Sequence, residues 1–315
     1  MAKQTAIILV MFRQKHNLEL LYNSLYRQSY KDFRIYFVDN NPDAIDRDHS
    51  EELNRNLGMD IEYIIAGQNS GFAGGNNLGA AKAMEDGFEY ILFLNNDTEL
   101  DENCLLELVN AVEAAPDTAV ASPLILYYTA DKKDPKIQEY GVKADFDTYS
   151  ITKYFEGKKL SVSEVEMPLS MKVDMVSGAA MLVKAEALKK AGLWEEKYFA
   201  YGDEIDLAAR LKKTGFASIV TKKAVLWHNH KWEKQNKEGF YFEYYLIQRN
   251  KYLYFRKHKL YFNMFISYLT DILKFPVRLL WFMRVCDLKL GYYYLKGTYA
   301  GLFGHSGRPN LSFMK

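Results

Sequence analysis

The chain has 315 residues, of which 49% are hydrophobic and 26% are charged, which excludes a disordered protein and allows one large domain with an appendage. The formal net charge of +1 excludes an overall field that favours nucleic acid, so no nucleic-acid partner is expected. The two cysteines, Cys104 and Cys286, support neither a disulfide framework nor a cysteine zinc site, which predicts a reducing, cytoplasmic location. The opening stretch MAKQTAIILVMF lacks a cleavage pattern and is expected to be a first strand, not a signal peptide.

Apolar runs and helical spacings alternate through the first part of the chain. Continuous apolar runs predict buried strands, and leucines at helical spacing predict the helices between them. The predicted strands cover residues 5–11, 33–38, 61–66, 90–94 and 119–126. The predicted helices include 17–28 and 101–115. A flexible glycine loop is predicted at 71–75, and a third helix follows it and ends near residue 86. This alternation predicts an α/β fold, Rossmann-like, with a mostly parallel, doubly wound sheet flanked by helices.

The regular alternation ends after residue 127. Residues 143–169 are polar without a clear period, which is typical of either a hairpin or a substrate loop. Regular structure resumes at 172–183, with helices expected at 185–191 and 203–214 and one or two strands at 217–228. Long helical segments rich in aromatic and basic residues begin at residue 238. The predicted organisation is one domain at 1–235 and a C-terminal helical region at 236–315.

Polar side chains stand where two predicted strands end. Asp39 follows the second strand, and Asn95, Asn96 and Asp97 follow the fourth. In an open parallel sheet, ligands bind at the carboxyl ends of the strands, so these residues are expected to face one crevice. Asp39 can accept hydrogen bonds from a nucleobase or ribose, and Asp97 is a hard ligand suited to Mg²⁺ or Mn²⁺. The alternative is that these Asn and Asp residues only form turns.

A glycine- and asparagine-rich stretch, QNSGFAGGNNLG at 68–79, precedes the predicted third helix. Glycines allow a ligand to approach the backbone, and a helix N-terminus favours anions. The glycines do not follow the G-x-G-x-x-G spacing and come after the third strand, which disfavours a dinucleotide-binding fold. The alternative is a tight connection between a strand and a helix.

Two later stretches carry acid and imidazole groups. YFAYGDEIDLAARLKKTG at 198–215 has the acids and lysines of a well-terminated helix, but Asp203, Glu204 and Asp206 exceed what a cap needs, so one of them can serve as a general base. In WHNHKW at 227–232, an imidazole can add a nitrogen to a metal held by Asp97, although a histidine after a strand is usually structural. The absence of H-E-x-x-H leaves a zinc hydrolase unsupported.

Five stretches in this order resemble the family 2 glycosyltransferases of the GT-A fold, in the bacterial rhamnosyltransferase- and galactofuranosyltransferase-like branch. They are FVDNN (37–41), NSGFAGGNNLG (69–79), LFLNNDT (92–98), GLWEEKYFAYGDEIDLAARLKKTG (192–215) and WHNH (227–230). The resemblance implies an inverting transferase that uses a divalent cation, Mn²⁺ or Mg²⁺. It would move a sugar from a UDP- or dTDP-linked donor to a hydroxyl of a saccharide or polyprenyl-diphosphate-linked acceptor in bacterial surface polysaccharide synthesis.

The same resemblance implies roles for particular residues. Asp97 and His228 match the metal ligands, and Glu204 aligns with the catalytic base, but the family's Glu-Asp pair is reversed here, which leaves Asp203 and Glu204 both open as the base. The acceptor side is expected to include Trp194, Tyr201 and Trp232, with core packing as the alternative. The donor side is expected to include Asp39, which reads the base, together with Asn69, Gly71, Phe72, Asn76, Asn77, Asn95 and Asn96.

Two other functions are weighed against a glycosyltransferase. A nucleotidyltransferase on a related sheet would need an early glycine loop with a basic residue, which is absent here. Loss of the acids at the base position would favour a catalytically silent subunit that binds a nucleotide sugar or a partner enzyme, but Asp203, Glu204 and Asp206 are all present.

The basic and aromatic C-terminal region suggests a surface contact. No uncharged run there reaches the length that spans a bilayer. Helices of this composition suit the interface of an anionic membrane, on the inner face of the plasma membrane near a lipid-linked acceptor. The alternative is an appendage that packs on the domain or forms a homo-oligomer.

Overall fold

The computed structural model describes residues 4–13, 18–41, 43–229 and 237–311. Its strands are β1 (Thr5–Met11), β2 (Phe33–Asp39), β3 (Ile61–Ile65), β4 (Tyr90–Leu94), β5 (Thr98–Leu100), β6 (Thr118–Tyr127), β7 (Ile137–Glu139), β8 (Val142–Asp145), β9 (Ser150–Lys153), β10 (Ser170–Val173), β11 (Ala180–Lys184) and β12 (Ala217–His228). Its helices are α1 (Leu18–Tyr26), α2 (Ile45–Asn54), α3 (Gly71–Glu85), α4 (Cys104–Glu113), α5 (Leu160–Ser163), α6 (Ala185–Ala191), α7 (Asp203–Lys213), α8 (Lys237–Lys257), α9 (Tyr261–Arg284) and α10 (Leu288–Leu302), with a 3₁₀ turn at Glu196–Tyr198.

The predicted α/β class with a central, mostly parallel sheet is confirmed. The main sheet has the order β10-β12-β6-β11-β4-β1-β2-β3, and β5 and β7 pair with β12 and β6. Strands β4, β1, β2 and β3 run parallel, and so do β6 and β12. The sheet departs from the doubly wound expectation at its antiparallel pairs. Strand β11 inserts antiparallel between β4 and β6, β5 and β10 pair antiparallel with β12, and β7 pairs antiparallel with β6.

Both faces of the central parallel strands β1, β2 and β4 are buried, as their mostly apolar sequences require. Side chains alternate across each strand, so Ile8 and Phe93 join the core under α3, α6 and α7. Ile7 and Leu92 join the opposite core under α1 and α4. This double burial fixes the register of the strands and therefore the positions of their carboxyl ends.

Helix α3 begins at Gly71, so the predicted flexible loop at 71–75 is wrong. The glycines serve close packing instead. A Cβ atom on Gly75 would lie 2.6 Å from Cγ1 of Val10, so only glycine lets α3 approach β1 this closely. The helix N-terminus is thereby held rigidly over the carboxyl ends of the central strands.

The two uncertain middle segments resolve into separate elements. Within 143–169, strands β8 and β9 form an antiparallel hairpin, which confirms the hairpin alternative, and α5 follows it. The regular stretch predicted at 172–183 is two strands, because residues 174–179 separate β10 at one edge of the sheet from β11 in its middle. The segment at 217–228 is one strand, β12, with irregular register near Thr221.

The C-terminal region is helical, as predicted, and α8 packs against α10 and contacts the 3₁₀ turn at Glu196–Tyr198. The predicted domain boundary near residue 235 lies outside the described residues. No helix in the described part of the chain combines the length and apolar character needed to cross a membrane.

Candidate functional site

Asp97 and His228 lie in direct contact at the carboxyl end of the central strands. Strand β12 pairs antiparallel with β5, which sets His228 opposite Thr98 and therefore beside Asp97. His228 Nε2 lies 3.0 Å from Asp97 Oδ1, and the backbone N–H of Asn229 donates to the Asp97 carbonyl over 2.7 Å. The other ring nitrogen of His228 lies 3.1 Å from Gln138 Oε1 on β7. The two residues predicted as metal ligands are therefore brought together by the sheet.

This pair fits a divalent cation that is shared with a ligand. A carboxylate oxygen and an imidazole nitrogen are both donors for Mn²⁺. Among the described residues, no group of three His, Cys, Asp or Glu side chains could hold a metal alone. Mg²⁺ and Mn²⁺ at phosphate sites typically complete their coordination with water and phosphate oxygens.

The two asparagines before Asp97 differ in their environment. The side chain of Asn96 donates to the Val10 carbonyl over 3.1 Å and ties the end of β4 to the end of β1. Asn95 is half-buried, and its backbone N–H donates to the Ala179 carbonyl while its own carbonyl accepts from Thr98. Asn95 is therefore held by its backbone.

Asp39 is fully buried and already accepts three hydrogen bonds. Its Oδ1 accepts from the backbone and side-chain N–H groups of Asn41, and its Oδ2 accepts from the Arg47 N–H at the start of α2. The carboxylate thus organises the turn between β2 and α2. Next to it, Asn41 Oδ1 and Asp46 Oδ1 are buried without a hydrogen-bond partner among the described residues. Such orphaned acceptors indicate a place where a ligand donor fits.

Asn40, which the sequence did not single out as a site residue, fastens the glycine-rich stretch to the end of β2. Its Oδ1 accepts from the N–H and the hydroxyl of Ser70, and its Nδ2 donates to the Gly71 carbonyl over 3.0 Å and to Asn69 Oδ1 over 3.3 Å. Asn69 in turn accepts from the Gly71 N–H. The predicted donor residues Asn69 and Gly71 are therefore held at the N-terminus of α3.

The remaining residues of this stretch bind the segment before α7. Phe72 N–H donates to the Phe199 carbonyl over 2.8 Å. Asn77 donates to the Trp194 carbonyl and accepts from its N–H, both over 2.9 Å, while Asn76 donates to the Phe72 carbonyl within α3. Asn77, predicted on the donor side, thus joins α3 to Trp194, whereas the side-chain hydrogen bond of Asn76, also predicted there, stays within α3.

Asp203 and Glu204 begin α7, directly after a strained turn. Phe199 and Tyr201 have positive φ angles of 67° and 64°, and Gly202 follows at 79°, a conformation that non-glycine residues rarely adopt. Strain of this kind persists only where surrounding contacts enforce it, and it clusters at functional sites. The turn therefore sets the direction in which α7 presents its first two carboxylates.

The two carboxylates differ in accessibility. Asp203 is buried and its Oδ2 has no hydrogen-bond partner among the described residues, whereas Glu204 is half-buried beside Gly178. Burial raises the pKa of both groups, and the charge of Glu204 raises that of Asp203 further. N–H groups of Glu204 and Gly178 partly oppose the shift at Glu204. Of the two candidate bases, Glu204 has the side chain that is more accessible to solvent.

Side chains of helix α8 hold the strained turn through hydrogen bonds to its backbone carbonyls. The buried Asn250 donates from Nδ2 to the carbonyls of Tyr198, Ala200 and Tyr201 over 3.1, 2.8 and 2.6 Å. The buried Arg249 donates to the Tyr198 carbonyl over 2.7 Å and to Asn250 Oδ1 over 2.9 Å. We call these two residues the α8 clamp. Nothing in their local sequence indicates this role, because their partners lie about fifty positions earlier.

Asp206, the third acid of α7, is a structural anchor. It accepts from Arg210, Lys257 and His258, each over 2.8 Å. Burial raises its pKa, but the His258 hydrogen bond and the charges of Arg210 and Lys257 outweigh burial and hold the pKa below the ordinary aspartate value. This carboxylate therefore joins α7 to the end of α8 and is not a candidate base.

Strand β7 adds two residues that sequence analysis missed. Gln138 contacts His228, and its neighbour Glu139 is buried with Lys153 Nζ 3.6 Å away. Burial raises the pKa of Glu139 to about 7, with Glu204 adding to the rise and Lys153 opposing it. Adjacent residues of one short strand thus influence the proposed metal pair and the proposed base. Their polar, irregular sequence context gave no signal.

The two described residues of the predicted acceptor side, Trp194 and Tyr201, have different environments. Trp194 is only 3% exposed and packs edge-on against Phe72 and Phe93, which fits the alternative of core packing. Tyr201 is half-buried in the strained turn. Trp232 lies outside the described residues.

The mostly parallel sheet between helices is the GT-A fold, in which glycosyltransferases are built. Residues 6–189, more than half of the chain, match the family model described as Glycosyl transferase family 2. The chain belongs to glycosyl transferase family 2, and it lies in a branch that resembles the bacterial rhamnosyltransferases. This membership argues against the nucleotidyltransferase alternative.

Individual relatives support the same family. The chain is 23% identical over 255 residues to the low-salt glycan biosynthesis hexosyltransferase Agl10 of Haloferax volcanii, covering 80% of this chain and 76% of that protein. It is 24% identical over 150 residues to the N-acetylglucosaminyl-diphospho-decaprenol L-rhamnosyltransferase of Mycobacterium tuberculosis, covering 45% of this chain and 47%, about half, of the relative. A crystal structure of GalNAc-T7 with UDP, GalNAc and Mn²⁺ shares the fold at a TM-score of 0.61 and 12% identity, covering 80% of this chain and 47% of that one.

Proposed function

We propose that this protein is an inverting, metal-dependent glycosyltransferase. It moves a hexosyl or deoxyhexosyl group from a UDP- or dTDP-linked donor to a hydroxyl of a saccharide or polyprenyl-diphosphate-linked acceptor in bacterial surface polysaccharide synthesis. The observation that carries the proposal is the 3.0 Å contact between Asp97 and His228 at the carboxyl ends of the central strands. A lipid-linked acceptor would place the enzyme on the cytoplasmic face of the membrane.

Asp97 and His228 would hold Mn²⁺ or Mg²⁺, and the bound cation would neutralise charge on the departing nucleoside diphosphate. The orphaned acceptors of Asn41 and Asp46 would receive hydrogen bonds from N–H groups of the donor nucleotide. Asp39 would support this side by holding the turn that carries Asn41.

Glu204 would act as the general base. Its carboxylate accepts the proton of the acceptor hydroxyl while the hydroxyl oxygen bonds to the anomeric carbon, and the bond from that carbon to the diphosphate oxygen breaks on the opposite face. This single displacement inverts the anomeric configuration. A positioned base contributes typically about 10²–10⁴-fold to the rate. Asp203, which is buried beside it, would tune the charge of Glu204 and support the start of α7.

Titration calorimetry with Mn²⁺ and a set of UDP- and dTDP-sugars tests the donor site. We expect one diphospho-sugar to bind only with metal and Asp97→Asn to weaken it by about 10–100-fold or more, as losses around metal sites do. The control is Asp117→Asn, an exposed aspartate paired with Lys172 at the far end of the sheet. Unchanged binding in Asp97→Asn would show that the strand-end cluster is only a turn.

Turnover of the donor found in this way tests the enzyme assignment. Glu204→Gln should keep donor binding and lose about 10²–10⁴-fold in turnover, whereas Asp203→Asn should retain more activity. A wild-type protein that binds the donor but never transfers or hydrolyses it would instead be a silent binding subunit. A response to nucleoside triphosphates alone would contradict the glycosyltransferase proposal.

A further inference from the structure

The outer side of α9 and α10 is the most apolar exposed surface of the described chain. More than half of the exposed large hydrophobic side chains among the described residues lie within residues 261–303. The most exposed are Phe262, Leu273, Val277 and Leu280, at 73%, 78%, 69% and 66%. We call this surface, residues 261–303, the α9–α10 face. A soluble surface rarely exposes so many large apolar side chains together unless it binds something.

The orientation of this face is fixed from its inner side. Asp271 is one of two buried residues of α9, and it accepts hydrogen bonds from Gln248 over 2.5 Å and from Tyr252 over 2.6 Å, both on α8. Lys251 of α8 also pairs with Asp271. The opposite, apolar side of α9 therefore cannot turn inward without breaking a buried, charged cluster.

The exposed charges within residues 258–311 have one sign. The acidic residues between positions 258 and 311 are Asp271 and Asp287. Both already have partners, because Asp271 is held by α8 and the Tyr241 hydroxyl lies within 2.9 Å of both carboxylate oxygens of Asp287. The exposed cations of this segment are Lys259, Lys274, Arg284, Lys289 and Arg308. Apolar side chains rimmed by cations complement the headgroups and acyl chains of an anionic bilayer.

We propose that the α9–α10 face docks on the surface of an anionic lipid bilayer, with α9 lying in the interface. Pairing with a second copy through the same face would bring cations against cations, which is unfavourable without counter-charges. A spanning arrangement does not fit, because no described helix has the needed length and apolar character.

The same helix that anchors the face also reaches the site. Gln248 and Tyr252 hold Asp271, while Arg249 and Asn250 between them hold the turn before Glu204. Docking of the face would therefore set the site at a defined position relative to the membrane, where a lipid-linked acceptor is presented. This last step rests on the proposed function, whereas the docking itself does not.

Flotation with vesicles of phosphatidylcholine, with and without phosphatidylglycerol, tests the docking. We expect the full chain to bind vesicles that contain phosphatidylglycerol at least about 10-fold more tightly than neutral ones, with added salt weakening the binding. Leu273→Glu with Val277→Glu should reduce binding by at least about 10-fold, since burial of two such side chains is lost. The matched control is Val162→Glu with Val165→Glu, two valines in and just after α5 that are at least as exposed as Val277, at 69% and 94%.

Several outcomes would overturn the proposal. These are no binding to vesicles that contain phosphatidylglycerol, equal binding to neutral vesicles, or unchanged binding by the Leu273→Glu, Val277→Glu variant. A dimer in solution that this variant disperses would assign the face to a second copy instead. Donor binding by calorimetry should be equal in all these variants, so failure of vesicle docking is distinguishable from failure of the proposed transferase activity.

Discussion

Asn250 Nδ2 lies 2.6 Å from the carbonyl oxygen of Tyr201, although 49 positions separate the two residues. Tyr201 is in the left-handed region, and the base candidates Asp203 and Glu204 follow two and three positions later. A helix from the C-terminal region thus stabilises a backbone conformation that the local sequence disfavours. The C-terminal helices are consequently part of the candidate site's architecture.

Asn250→Ala should lower both stability and turnover. The carbonyls of Ala200 and Tyr201 would lose their donor, which we expect to reduce the free energy of unfolding by about 2–4 kcal/mol. Relaxation of the turn would misplace Glu204 and lower kcat by about 10-fold or more while KM for the donor stays similar. Urea unfolding and steady-state kinetics on the folded variant measure the two effects.

The control for this clamp variant is Asn54→Ala. Asn54 also makes two hydrogen bonds through its side chain, both to the backbone of Met59, but it lies at the end of α2 away from the turn. Asn54→Ala should also lower the free energy of unfolding, but kcat should stay unchanged. Equal kcat values in Asn250→Ala and the wild type would mean that the α8 clamp stabilises the fold but does not position Glu204.

Gly71→Ala should be far more damaging than Gly58→Ala. Both glycines have positive φ angles, 77° and 63°, so both substitutions carry the left-handed penalty of about 1–2 kcal/mol. At Gly71 the added Cβ would also lie 2.3 Å from the Phe199 carbonyl oxygen, whereas Gly58 has nothing within 4 Å. Overpacking adds about 1–3 kcal/mol or more at Gly71 alone. Chemical unfolding measures the difference, and equal losses would mean that Phe199 moves aside freely.

Lys153→Met should move the acid limb of the kcat profile to higher pH. Burial raises the pKa of Glu204, and the positive charge of Lys153 opposes that rise. Removing the charge raises the pKa of Glu204 further, so a larger fraction of the base is protonated at a given pH and activity appears only at higher pH. Lys158→Met, an exposed lysine paired with Glu166, should leave the profile unchanged. A limb that stays in place would argue against Glu204 as the base.

Glu139→Gln should change how stability depends on pH. Burial raises the pKa of Glu139 from 4.5 to about 7, so its favourable contribution is fully present below pH 4.5 and is lost as pH rises through 7. The pKa difference corresponds to about 3 kcal/mol in the free energy of unfolding. The wild type should lose about this much stability relative to Glu139→Gln as the pH rises from about 4.5 to above about 7. Urea unfolding of both proteins at about pH 5 and about pH 8 measures it. Exposed Glu166→Gln should show no such difference, and parallel pH curves for Glu139→Gln and wild type would contradict the prediction.

Strong local patterns were sufficient to predict much of the fold. Strands β1 and β4 have the predicted bounds, because continuous apolar runs are unambiguous when a strand is buried on both faces. Helix α7 ends within one residue of its prediction, since its acids and lysines lie at the ends that suit the helix dipole. In contrast, α2 was not predicted, because its sequence IDRDHSEELN has little apolar periodicity and its start is stabilised by the distant Asp39.

The sequence by itself determined the alternation of the central strands with their helices, the family motifs and the chemical types of the candidate site residues, since these depend on a few neighbouring positions. Only the tertiary structure decided which of them meet. It brought Asp97 to His228 across 131 positions and revealed the roles of Gln138, Glu139, Arg249 and Asn250. The physical reason is that burial, hydrogen bonds to distant carbonyls and the resulting pKa shifts depend on atoms that come together only when the sheet and the C-terminal helices pack.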